Sequence, residues 1–193
     1  MKTTPLNPNL PLKEMTTELD WSDLVLDDVA AGQVEDIRTW IENSDQLMDD
    51  RKLKKSGKRA GRILFNGPHE TAKKLTAALL GKVTGLPVYH VDSSAVVSKY
   101  IGETEKNLAL VFEAPGNGKS ILFFDEGDAL FNKRTEVKDA GDKYANLQIN
   151  YFLQRTEDFP GVVILATNQE SNMDEALAGR FKSVVQFRLP TAK

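Results

Sequence analysis

Cysteine is absent from all 193 residues, which excludes disulfides, thiol catalysis and cysteine-ligated zinc. Histidine is nearly absent: His69 and His90 are the only two, neither has a partner at ligand spacing, and each reads as a loop or strand residue. No apolar run approaches the ~20 residues a membrane-crossing helix needs, and no basic region followed by an apolar stretch opens the chain. The expectation is a cytoplasmic protein with no membrane partner. An excess of one charge is missing too, since 25 Lys and Arg stand against 28 Asp and Glu. The net charge of -3 supplies no long-range field for nucleic acid, which is not an expected partner. The dense basic run from Arg51 to Arg62 reads as a solvated loop.

What is present is enough apolar material, 40% of residues, for one sizeable core. Residues 1–20 carry Pro5, Pro8 and Pro11 and no helical or alternating period, and read as an arm or linker ahead of a domain spanning 21–193. Val34, Ile37, Trp40 and Ile41 recur at helical spacing, predicting a helix from Asp28 to about Met48 capped by Asp27 or Asp28. Beyond Arg62, five short apolar runs succeed one another: RILFN, PVYHV, ILFF, VVILA and VVQF. Helical stretches separate them, their faces marked by Leu75, Ala78 and Leu79, by Leu108, Val111 and Phe112, and by Tyr144, Leu147 and Tyr151. Strands apolar throughout and alternating with helices predict an α/β fold: a parallel five-stranded sheet sandwiched by helices, with ligands at the carboxyl ends of the strands.

The residues just after each strand therefore matter most. After RILFN comes Gly67-Pro68-His69-Glu70-Thr71-Ala72-Lys73-Lys74, then a helix with Gly81 as its expected C-terminal glycine. Gly67 and Lys73 match the phosphate-binding pattern G-x-x-x-x-G-K-[ST], in which backbone N–H groups and a helix N-terminus surround phosphates. Ala72 replaces the second glycine, and Lys74 replaces the hydroxyl that holds magnesium. Two matches by themselves suit an ordinary strand-turn-helix as well. After ILFF come Asp125 and Glu126, carboxylates at the end of an apolar strand, where charge is costly without a ligand or partner. That is the form of a Walker B strand, with a surface acidic turn as the other reading. After VVILA come Thr167 and Asn168, which suit either the orienting of a water molecule or a helix N-cap.

With these strand ends in this order, the chain resembles the AAA+ ATPases, in particular the bacterial branch with a single ATPase module. The resemblance runs from about Trp21 to Leu189 and is carried by SKYIGETEKNLALVFE, ILFFDEGDALFNKR and ILATNQESNMDEALAGRF. It implies a P-loop NTPase-like fold, the large subdomain of such a module, with ATP or ADP and magnesium as cofactors. It implies nucleotide contacts from Gly67, Pro68, Thr71, Ala72, Lys73, Lys74 and Asp125, with Asp125 toward the metal. Glu126 matches the residue that polarises water, Asn168 matches sensor 1, and Arg180 matches the finger that reaches a neighbouring subunit's nucleotide. Lys99, Tyr100 and Ile101 match the aromatic pore loop that grips a threaded polypeptide, a buried core tyrosine being the other reading. Implied partners are copies of itself or related subunits in a ring, and a protein substrate.

Departures from the family pattern gather at the phosphate. The family has G-P-P-G-T-G-K-T where this chain has GPHETAKK, and a pair of arginines where it has Gly179 and Arg180. The resemblance implies a helical lid following FRLPTAK, and these 193 residues are not expected to include it. Glu70 and Lys74 stand at i and i+4, the order favourable for a side-chain pair that occupies part of the phosphate and magnesium seat. Two readings result: a non-catalytic module with weakened nucleotide binding, or a fully active ATP-hydrolysing ring motor.

Overall fold

The computed structural model of the chain describes residues 10–48, 61–68, 72–116, 119–131, 141–168 and 179–188. The strands are β1 (Leu12–Glu14), β2 (Gly61–Asn66), β3 (Val88–Asp92), β4 (Ile121–Asp125), β5 (Val162–Thr167) and β6 (Ser183–Gln186). They form one sheet in the order β1-β3-β4-β5-β2-β6. The strands from β2 to β6 run parallel, as their unbroken apolar runs predict, and β2 pairs in register with β5 from Gly61↔Val162 to Asn66↔Thr167.

One strand more than expected is present. β1, inside the segment read as an arm, adds antiparallel to β3 with Leu12 opposite Val91. Three residues are too few to display a period, and only Leu12 among them is buried. The strand exists because the edge of β3 has N–H and C=O groups to pair, which is a property of the assembled sheet.

The helices are α1 (Asp28–Met48), α2 (Lys73–Thr84), α3 (Ser93–Val96), α4 (Glu103–Glu113), α5 (Asp128–Phe131) and α6 (Gly141–Asp158). Alternation along the strands divides the core in two. Ile63, Phe65, Ile121, Phe123, Ile164 and Ala166 face α1 and α2, meeting Val34, Ile37, Ala77 and Leu80. Leu64, Leu122, Phe124, Val163 and Leu165 face the other way, onto Leu108, Val111, Phe112 and Phe152 of α4 and α6. At about 1.5–3 kcal/mol per buried large apolar side chain, both layers are needed to offset the entropy of ordering the chain.

Local signals resolve into particular contacts. Asp27 is the residue that caps α1, its Oδ1 accepting from Ala30 N at 2.8 Å. The second helix does not stop at Gly81: it runs to Thr84 and ends on Gly85, whose φ of 70° is the left-handed conformation glycine supplies. Gly81 instead lies inside α2, where a Cβ would run into Val88 Cγ2. On α6, Leu147 is exposed, and the buried residues among the described side chains, 147–158, are Phe152, Leu153 and Thr156. Residues 51–60 of the basic run, residues 132–140, and His69, Glu70 and Thr71 lie outside the described residues.

Candidate functional site

β2 lies between β5 and β6: the chain leaves β2 toward β3 on one side, whereas it leaves the adjacent β5 toward β6 on the other, so the crossovers part beside β2. Open α/β sheets place ligands at such a point, beyond the carboxyl ends of the strands. Here those ends carry Gly67 after β2, Asp125 closing β4, and Asn168 after β5.

Gly67 is required by space as well as conformation. Its φ is +150°, a Cβ there would collide with the Phe187 backbone oxygen, and its N–H donates to Thr167 O at 3.1 Å. Ala72, which replaces the family's glycine, has φ -78° and ψ 18°, a conformation alanine adopts without strain. The substitution therefore does not distort the start of α2.

Lys73 is 4% exposed and spends all three ammonium hydrogens inside the protein. Its Nζ donates to Gly67 O at 2.7 Å, to Thr167 O at 2.8 Å and to Asn168 Oδ1 at 2.8 Å. Burial pulls its pKa down from 10.5 to about 8, opposed by the charges of Asp125 and Asp128. Asp128 fixes the other side of the same strand end, accepting from Thr167 Oγ1 at 2.8 Å and from Asn168 N at 2.9 Å. The structure thus brings together Gly67, Lys73 and Asn168, and adds Asp128, which the sequence reading did not count among the site residues.

Asp125 shares a sheet face with Phe123, the face α2 covers, and there it meets Lys74. Lys74 Nζ lies 3.0 Å from Asp125 Oδ2. His90 Nε2 donates to that same oxygen at 3.1 Å, and Glu126 N donates to Oδ1 at 3.1 Å. The hydrogen bond from His90, then the bond and charge of Lys74, outweigh burial and hold the Asp125 carboxyl well below the usual carboxylate range. His90 was read from sequence as an ordinary strand residue. Its part here follows from β3 and β4 pairing with His90 opposite Phe123, which puts it two positions along from Asp125 on the same face.

Glu126 is exposed at the turn into α5 with φ 52°, the only residue other than glycine with positive φ among those described. The next residue is held close to β5, Gly127 N donating to Ala166 O at 2.7 Å. Tyr100 and Ile101 are 60% and 80% exposed, in the loop before α4. A buried core tyrosine is excluded, and Lys99 Nζ stands 5.3 Å from the Tyr100 ring centroid. Glu103 Oε2 accepts from Ser98 Oγ at 2.5 Å and Thr104 Oγ1 from Ser98 N at 2.9 Å, which anchors the base of this loop. Arg180 is exposed, two residues before Lys182, whose N–H donates to Arg62 O near the beginning of β2. It lies at the amino end of the sheet, away from its own chain's Lys73. A cleft of about 410 Å³ behind the C-terminal end of α2, bordered by Glu14, Met15, Lys82 and Gly85, contains none of these residues.

The residues present do not fit magnesium. The ligand hydroxyl of the pattern is replaced by Lys74, and its ammonium already sits against the carboxylate that would face the metal. Among the described residues no group of three acidic or histidine side chains converges on a point that could hold a metal ion.

The model of the ATPase family associated with various cellular activities (AAA) matches residues 63–189. The chain is 35% identical over 132 residues to ATPase family gene 2 protein of Schizosaccharomyces pombe, which covers 66% of this chain and 16% of that protein. It is 31% identical over 179 residues to the peroxisomal ATPase PEX6 of Saccharomyces cerevisiae, covering 88% of this chain and 17% of that protein. It is 30% identical over 171 residues to the ATP-dependent zinc metalloprotease FtsH of Lactiplantibacillus plantarum, covering 84% of this chain and 23% of that one. The chain spans less than a quarter of the length of each of these three relatives.

Proposed function

The chain belongs to the AAA family of ATPases, and from that premise we propose that it is a module in which nucleotide binding is weakened and hydrolysis is weak or lost, acting within an assembly. The observation that carries this reading is the ion pair between Lys74 and Asp125, 3.0 Å long, in the place where the family's chemistry needs a hydroxyl and a divalent cation. Lys73 supports it, since a phosphate would have to draw its ammonium away from three internal oxygens.

Family members typically form oligomeric rings that act on protein substrates. Two features of this chain suit such a setting. Arg180 is exposed and remote from its own phosphate site, so a role in hydrolysis requires a neighbouring subunit. Tyr100 and Ile101 present a large apolar surface on an anchored loop, suited to gripping an extended polypeptide. ATP or ADP is the ligand class for Gly67, Pro68, Thr71, Ala72 and Lys73, with Asp125, Glu126 and Asn168 beyond them.

The test compares ATP hydrolysis by the unaltered chain with that of a variant carrying Glu70→Gly, Ala72→Gly and Lys74→Thr, with sedimentation to report assembly. Turnover at background in the unaltered chain and a rise of ten-fold or more in the variant is the expected result. Turnover at a rate typical of enzymes, about 1 s⁻¹ or more, in the unaltered chain would establish the active ring motor instead.

A further inference from the structure

We propose that the Lys74 ammonium takes the place of the divalent cation, so that this chain binds nucleotide with its phosphates metal-free and gains nothing from magnesium. The inference rests on the reading of these strand ends as a nucleotide seat, and goes beyond it in naming the form of the ligand.

Three observations converge on it. The first is position: residue 74 is where the pattern places the metal-holding hydroxyl, and Lys74 Nζ reaches Asp125 Oδ2 at 3.0 Å. A positive charge thus stands on the oxygen that would otherwise face a metal. The second is capacity. Oδ2 also accepts from His90, and Oδ1 accepts from Glu126 N, so both oxygens of Asp125 are engaged within the protein. A divalent cation approaching this carboxylate would meet an ammonium of like charge at contact distance. The third is access. The Lys74 side chain is 56% exposed, so its ammonium can keep Asp125 on one side and donate to a phosphate oxygen on the other, as a compact cation with three donors does.

The surroundings point the same way. Lys73 and Lys74 occupy the first turn of α2, with no acidic residue there, the end of a helix at which positive charge is unfavourable. A polyphosphate at this N-terminus relieves the exposed Lys74 charge, and its attraction to that ammonium needs no bridging ion.

The experiment is calorimetric titration of ADP and ATP into the unaltered chain and into Lys74→Thr, each in EDTA and in excess magnesium. Circular dichroism melting confirms that both are folded. The unaltered chain should bind in EDTA and bind no more tightly in magnesium. Lys74→Thr should lose about tenfold or more in EDTA, on the scale of one charge-assisted contact, and recover on adding magnesium. Binding by the unaltered chain only with magnesium would overturn the proposal and leave the nucleotide seat standing. Absence of binding in both media would remove the proposal and the nucleotide seat together. Equal affinity of the two proteins in EDTA would show that Lys74 is not the substitute cation, and would also overturn the proposal.

Discussion

Lys74 and Asp125, 51 positions apart in sequence, form an ion pair of 3.0 Å that ties the first turn of α2 to the end of β4. Its strength is limited by solvent, because Lys74 is 56% exposed. A double-mutant cycle with Lys74→Ala and Asp125→Asn, read by urea unfolding, should give a coupling of about 0.5–1 kcal/mol. A coupling indistinguishable from zero would mean the two charges do not meet in solution.

Lys73 should behave differently, since its ammonium satisfies three oxygens at once. Lys73→Met leaves Gly67 O, Thr167 O and Asn168 Oδ1 without that donor and should destabilise the fold by about 1–3 kcal/mol. A loss below about 0.5 kcal/mol in urea unfolding, the range of an ordinary surface change, would contradict the three-acceptor arrangement.

The same residue sets a pH dependence. Its folded pKa of about 8 lies below the ordinary 10.5, so between those values the unfolded chain holds a proton that the folded chain has released. The contribution of this group to stability therefore rises with pH across that window. Phosphate binding should move the opposite way, because Lys73 loses its charge as pH passes about 8. Nucleotide affinity measured from pH 7 to 9 should fall, and Lys73→Met should flatten that profile; an unchanged profile would show that Lys73 does not meet phosphate.

Two helical glycines should respond with opposite signs. Gly32, inside α1, has nothing outside its own helix within 4 Å of the point a Cβ would occupy, and Gly32→Ala should stabilise by about 0.5–1 kcal/mol. Gly81→Ala makes the same gain in helix propensity but drives a methyl into Val88 Cγ2 and should lose about 1–3 kcal/mol. Thermal melts of the two variants check the packing of α2 on β3, and a shift of the same sign in both would contradict it.

The exposed loop before α4 should be irrelevant to stability. Tyr100→Ala and Ile101→Ala should each change it by no more than about 0.5 kcal/mol, since both side chains face solvent. A loss above about 1 kcal/mol would place Tyr100 in contacts of the fold rather than on a presenting surface.

Much of this architecture is legible without coordinates, for a physical reason. A strand covered on both faces must be apolar at every position, so ILFF and VVILA declare both their conformation and their place in a parallel sheet. Charged or polar residues that close such strands, Asp125 and Asn168, stand out against the apolar background. Helix starts are local too, and Asp27 caps α1 through its own neighbours. Other features depend on which elements meet. β1 exists because β3 has an open edge, and Gly81 is tolerated inside α2 because Val88 lies against it. Leu147 is exposed because, among the described side chains of α6, the face turned to the sheet is that of Phe152, Leu153 and Thr156. The same holds at the site. Sequence spacing suggests Glu70 as the neighbour of Lys74, four residues away and outside the described residues. The strand order and the parity of β4 put Asp125 within reach of Lys74, with His90 delivered beside it by the register of β3. Local patterns report what each segment can bury, while the partner of a charge depends on the face and the neighbour that the sheet assigns to it.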